Sequence, residues 1–109
     1  MSESLADIKK IPCPVERTVT LIGSKWCLLI LWNLYQPERP VRYNQLLRSL
    51  KPMSSKTLSA KLKDLESYRI VVKKIIESSP PGVEYSLTEQ GRELSKLLIA
   101  MGEWSEKWY

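Results

Sequence analysis

Residues 54–87, SSKTLSAKLKDLESYRIVVKKIIESSPPGVEYSL, decide the fold. Leu58, Leu62 and Leu65 recur at i, i+4 and i+7, the spacing of one buried stripe on an α-helix. Ser54 or Ser55 can cap that helix, because a serine hydroxyl accepts from an otherwise unpaired first-turn N–H. The helix is expected to run to about Tyr68. At about 100° per residue, Lys56, Ser59, Ala60, Lys63 and Ser67 fall on the side away from the leucines. Residues 70–77 are rich in Val and Ile and read as a strand. Ser78-Ser79-Pro80-Pro81-Gly82 is a turn cluster. Val83, Tyr85 and Leu87 then alternate with Glu84 and Ser86, a returning strand with one buried face.

Working upstream, Asn44 can cap a short helix with Leu46, Leu47 and Leu50 inward, and Lys51-Pro52-Met53 makes a turn. Two short helices joined in this way form a helix-turn-helix, whose second helix enters the DNA major groove. A hairpin directly after it is a wing. The expected fold is therefore mainly α with a small β-hairpin wing, a winged helix-turn-helix. Further upstream, Pro14 suits the first position of a helix carrying Val15, Val19 and Ile22, which Gly23 stops. Ser24 caps a second helix from Lys25 to about Tyr35. It is apolar on nearly every side, which marks it as central and buried. Downstream, Thr88 caps a last helix whose stripe runs Leu94, Leu97, Leu98, Met101, Trp104 and Trp108. Residues 1–12 are expected to be a flexible N-terminal arm. Residues 13–109 form one domain: helix-turn-helix at about 44–68, wing at about 70–87, and a C-terminal dimerisation helix at about 88–108.

Composition narrows the function. The 109 residues suit one domain, and 43% hydrophobic with 27% charged residues is ordinary globular usage. There is no histidine, which removes Ser-His-Asp and Cys-His catalysis and every His-ligated metal site. Cys13 and Cys27 lie fourteen residues apart, too few for a disulfide framework or a zinc site within one chain. No paired-carboxylate or Gly-rich phosphate motif is present, so the chain is read as no enzyme, with no cofactor and no metal. Met1 to Lys10 lacks the apolar stretch of a signal peptide, and the longest apolar run, Trp26 to Trp32, is seven residues. The expected setting is cytoplasmic, without a membrane.

Charge placement points to a polyanion. Residues 42–76 hold nine basic and two acidic residues, net +7, which leaves −2 for the rest of the chain. Lysines that neutralise phosphates release counterions, which drives binding to double-stranded DNA. Within this segment Ser54, Ser55, Lys56, Thr57, Ser59 and Lys63 open the recognition helix with groups able to reach phosphates or base edges. Lys73, Lys74 and Arg42 are expected on the DNA backbone. The bland alternative is a solvated lysine face.

Trp104 and Trp108 extend beyond what a core of this size requires. An aromatic stripe on a long helix suits a partner surface, and a symmetric dimer suits a reader of paired half-sites. The expected interface is Val15, Val19, Leu97, Met101, Trp104 and Trp108; the alternative has the tryptophans covering the chain's own first helix. Cys13 precedes a helix start, where the dipole favours a thiolate, with Lys9, Lys10 and Arg17 near in sequence. That makes it a candidate redox or electrophile sensor, against the alternative of an inert cap. Cys27 reads as core filler.

These residues resemble a known family. Cys13-Pro14-Val15-Glu16-Arg17 and Gly23-Ser24-Lys25-Trp26, followed by Leu28-Leu29-Ile30-Leu31, are similar to the opening of HxlR-type transcriptional regulators. Ser54-Ser55-Lys56-Thr57-Leu58 with Leu62-Lys63-Asp64-Leu65-Glu66 resembles their recognition helix, and residues 83–91 resemble their wing-to-helix junction. The resemblance implies a MarR-like winged-helix fold and a homodimer built by the first and last helices. It implies a repressor or activator on a palindromic operator. Some members sense quinones, aldehydes or oxidants through a cysteine matching Cys13, and a small-molecule effector is compatible with the family. The chain departs at Cys27, often charged or polar in the family, and at Ser55, where proline is common and whose absence loosens the start of the recognition helix. The rival functions are a non-specific chromatin-type DNA-binding protein and a winged-helix protein-interaction module.

Overall fold

The computed structural model describes residues 3–109. Helix starts follow from local chemistry. Of the six helices among the described residues, five begin on a side chain that accepts a first-turn N–H: Ser4, Cys13, Ser24, Ser54 and Thr88. In chain order the elements are α1 (Leu5–Lys9), α2 (Pro14–Ile22), α3 (Lys25–Tyr35), β1 (Val41–Arg42), α4 (Tyr43–Ser49), α5 (Ser55–Ser67), β2 (Val71–Ile76), β3 (Gly82–Leu87) and α6 (Glu89–Trp108).

Three elements differ from the sequence expectation. Residues 1 and 2 of the expected flexible arm lie outside the described residues, but residues 5–9 form α1, and Ile8 is buried in the core. The Tyr68 hydroxyl donates to the Glu3 carbonyl at 2.9 Å and ties this segment to the end of α5. Second, α4 starts at Tyr43 with Arg42 as its N-cap residue, so Asn44 lies inside the helix and caps nothing. The reason is the third difference: Val41 and Arg42 pair with Tyr85 and Glu84, delivering the chain into α4 directly from a strand. The hairpin thereby becomes a three-stranded antiparallel sheet of order β1-β3-β2.

The core is built around α3, whose Ile30, Leu31 and Leu34 are buried. It includes Leu58, Leu62 and Leu65 of α5, the stripe expected from spacing, together with Ile70 and Val71. Each such leucine stabilises the fold by about 1.5–3 kcal/mol relative to exposure.

Two junctions fix the reading elements. At the end of α5 the Ile70 N–H donates to Leu65 O and the Arg69 N–H to Glu66 O, both at 3.0 Å. Arg69 adopts φ 63°, so this is a Schellman ending with arginine where glycine is usual. It turns the chain sharply from recognition helix to β2. At the start of α6, Thr88 Oγ1 donates to the Arg69 and Ile70 carbonyls at 2.7 and 3.2 Å while accepting from the Gly91 N–H. The long helix is thus bonded to the same turn.

Candidate nucleic-acid interface

The inner face of α5 is held by its leucines, so the outer face has a fixed presentation. Ser55, Lys56, Ser59 and Lys63 are exposed there. Their roles divide. Ser54 Oγ accepts from the Thr57 N–H at 3.1 Å and donates to Thr57 Oγ1 at 3.0 Å, so the Ser54 hydroxyl is spent on the helix start, while Thr57 Oγ1 accepts from it. This cap closes the first turn of α5. The Tyr43 hydroxyl donates to the Ser55 carbonyl at 3.1 Å and lies 2.9 Å from Ser59 Oγ. Among the described residues Lys56 and Lys63 have no ion-pair partner, which leaves both ammonium groups available to an external anion.

Register separates the two wing lysines. Arg42, Glu84 and Lys74 form one cross-strand row, whereas Lys73 lies in the row of Val41 and Tyr85. Adjacent rows face opposite sides of the sheet. Lys73 lines a cleft of about 740 Å³ between α4 and the wing, together with Arg42, Arg48, Tyr43 and Tyr85. Lys74 is the cross-strand neighbour of Glu84, on the other side of the sheet from Lys73, and makes no ion pair among the described residues. Arg42, expected on the DNA backbone, is engaged within the protein: Nη1 donates to the Pro80 carbonyl at 3.2 Å and Nε lies 3.7 Å from Glu84 Oε2. Arg48 and Tyr43 were not assigned roles from sequence. Arg48 was visible only as part of the basic excess, and no local signal marks Tyr43.

The expected dimer residues lie on the surface. Val15 and Val19 on α2 and Leu97, Met101, Trp104 and Trp108 on α6 are each more than half exposed. The two tryptophans therefore do not cover the chain's own first helix. Beside them, Leu28, Leu29, Trp32, Leu98, Ile99 and Met101 line an apolar groove of about 950 Å³ between α3 and α6. Cys13 is exposed at the α2 N-cap with Sγ 3.5 Å from the Glu16 N–H, and Cys27 is buried. Among the described residues no three metal-ligating side chains cluster, and no single helix is long and apolar enough to cross a membrane.

A helix pinned by leucines, lysines outward, with a twisted ribbon beside it, defines a winged helix-turn-helix protein of the DNA-binding class. The chain belongs to the HxlR-like helix-turn-helix family, whose model matches residues 21–109. It is 41% identical over 96 residues to an uncharacterised HTH-type transcriptional regulator of Synechocystis, covering 88% of this chain and 70% of that one. Its fold matches a MarR-family transcriptional regulator of Porphyromonas gingivalis with a TM-score of 0.83 at 30% identity, over 92% and 96% of the two chains. The redox regulator HypR in its oxidised form matches with a TM-score of 0.79 at 35% identity, over 89% and 98%. The protein is a transcriptional regulator of the HxlR and MarR type.

Proposed function

We propose that the protein acts in the cytoplasm as a homodimer that reads a palindromic operator with its two copies of α5. Lys56, Lys63 and Ser55 reach bases and phosphates, Ser54, Thr57 and Ser59 hold that surface in shape, and Lys73 and Lys74 contact the backbone. Val15, Val19, Leu97, Met101, Trp104 and Trp108 meet their counterparts across the twofold axis. The observation that carries this reading is the two-sided α5: Leu58, Leu62 and Leu65 buried, Lys56 and Lys63 exposed and without ion-pair partners among the described residues. Regulation enters through Cys13. Its thiol is exposed while Cys27 is buried, and a similar protein, HypR, is named a redox regulator. The apolar groove beside α6 would admit a small hydrophobic effector.

The test is selection of duplexes from a random-sequence pool by the full chain, with sedimentation of the complex. Enrichment of an inverted repeat bound by two chains supports the reading. Equal affinity for every sequence would assign the chain to non-specific, chromatin-type binding, and no salt-dependent duplex binding to a protein-interaction module. Hydrogen peroxide should change affinity for the selected duplex in the parent and not in Cys13→Ser. An equal response in both would remove Cys13 as the sensor.

A further inference from the structure

The consecutive residues Arg42 and Tyr43 reach two different DNA-facing elements. Arg42 grips the wing: its guanidinium donates to the Pro80 carbonyl at 3.2 Å and lies 3.7 Å from the Glu84 carboxylate, its cross-strand partner. It also lies over Gly82, where an added Cβ would fall 2.6 Å from Nη1. Tyr43 grips the recognition helix through the Ser55 carbonyl and Ser59 Oγ, and its ring stacks obliquely on Tyr85 of β3 at 6.4 Å. Among the described residues, the Arg42–Pro80 contact is the one side-chain hydrogen bond reaching the wing tip, residues 77–81. A two-stranded ribbon projecting from a domain has little stability of its own. Some other restraint has to set its angle.

We infer that Arg42 and Tyr43 form a clamp that sets the spacing between wing and recognition helix, making Arg42 a positioning residue for DNA binding rather than a phosphate ligand. The chemistry favours arginine in this role. A planar fork satisfies a carbonyl and a carboxylate together, whereas a lysine ammonium is a single point charge on a flexible stem. Gly82 belongs to the same contact: an added Cβ would meet Nη1 at 2.6 Å and push the end of the guanidinium off its present position.

The inference rests on the DNA-binding reading for its consequence, but one arm of its test needs no DNA. Hydrogen exchange of the free full-length protein is compared for the parent, Arg42→Lys, Arg42→Gln and Gly82→Ala. The clamp predicts that wing amides at 72–86 exchange about tenfold faster in all three variants, with α3 amides unchanged. Binding is then measured on the duplex selected by the parent and on one fixed random duplex, from low to high salt. The clamp predicts that Arg42→Lys loses as much affinity for the selected duplex as Arg42→Gln, about five- to tenfold. Gly82→Ala loses a similar amount with every charge retained. Parental exchange and binding in Arg42→Lys, with Arg42→Gln losing about 0.9 of salt slope, would make Arg42 a phosphate ligand and overturn the clamp. Should the parent select no duplex, the DNA reading falls, and wing exchange alone decides whether the clamp exists. Should Gly82→Ala unfold, Arg42→Lys carries the decision.

Discussion

Adding one methyl group to α6 should have opposite effects at its two glycines. At Gly91 a Cβ would be built onto the carbonyl oxygen of Ile70, far inside van der Waals contact, and 3.1 Å from Ile70 Cγ2. That carbonyl cannot yield freely, because it accepts from the Thr88 N–H at 3.0 Å and from Thr88 Oγ1 at 3.2 Å. Nor can the Ile70 side chain, which is fully buried. Overpacking of this kind costs about 1–3 kcal/mol, and helix displacement would lose roughly one further hydrogen bond worth about 1 kcal/mol. Gly91→Ala is therefore expected to destabilise by about 2–4 kcal/mol, a large share of the ~5–15 kcal/mol typical of a domain. At Gly102 nothing lies within 4 Å of an added Cβ. There alanine's better helix propensity should stabilise by about 0.5–1 kcal/mol. Urea unfolding followed by far-UV circular dichroism, at one protein concentration, measures both. A Gly91→Ala midpoint equal to that of Gly102→Ala would refute the claim that α6 is seated directly on the end of α5.

Other outcomes follow from the same geometry. Lys63→Ala should lower affinity for the selected duplex with circular dichroism and association state unchanged; parental binding would remove Lys63 from the interface. Lys73→Ala should weaken all duplexes alike and reduce the salt slope by about 0.9, read by fluorescence anisotropy titrations at several salt concentrations. Replacing both Trp104 and Trp108 with alanine should shift sedimentation toward the monomer without loss of helix, since neither ring is buried within one chain. Burial pushes the Tyr68 and Tyr85 phenols above their usual value of 10.0, with Asp64 adding to the effect at Tyr68 and Glu66 at Tyr85. The folded state therefore holds these protons more tightly than the unfolded chain. Their stabilising contribution is complete below pH 10 and is lost as pH rises through the higher folded values, so the urea midpoint should fall above pH 10. A flat midpoint there would contradict the burial argument.

Much of the architecture was legible locally. Ser24, Ser54 and Thr88 cap their helices through bonds spanning three residues, and the Leu58-Leu62-Leu65 stripe needs only helical periodicity. The all-apolar α3 could be stable only at the centre. The missed pieces were short. Two-residue β1 shows no alternation to read, and α1 has five residues whose order depends on distant Tyr68.

The amino-acid order alone determined that a helix with a basic outer face stands before a ribbon, because caps, periods and charge density are properties of neighbours in the chain. Tertiary structure decided which cations face outward. Sequence treats Arg42, Lys73 and Lys74 as equivalent positive charges. Folding gives them different surroundings: Arg42 is turned onto Pro80 and Glu84 at the edge of the cleft, Lys73 lines that cleft without an ion-pair partner among the described residues, and Lys74 lies in the Glu84 row on the other side of the sheet from Lys73. The reason is physical: a charge's availability depends on which acceptors the sheet register brings within a few ångströms, and that register joins residues some forty positions apart, Arg42 with Glu84.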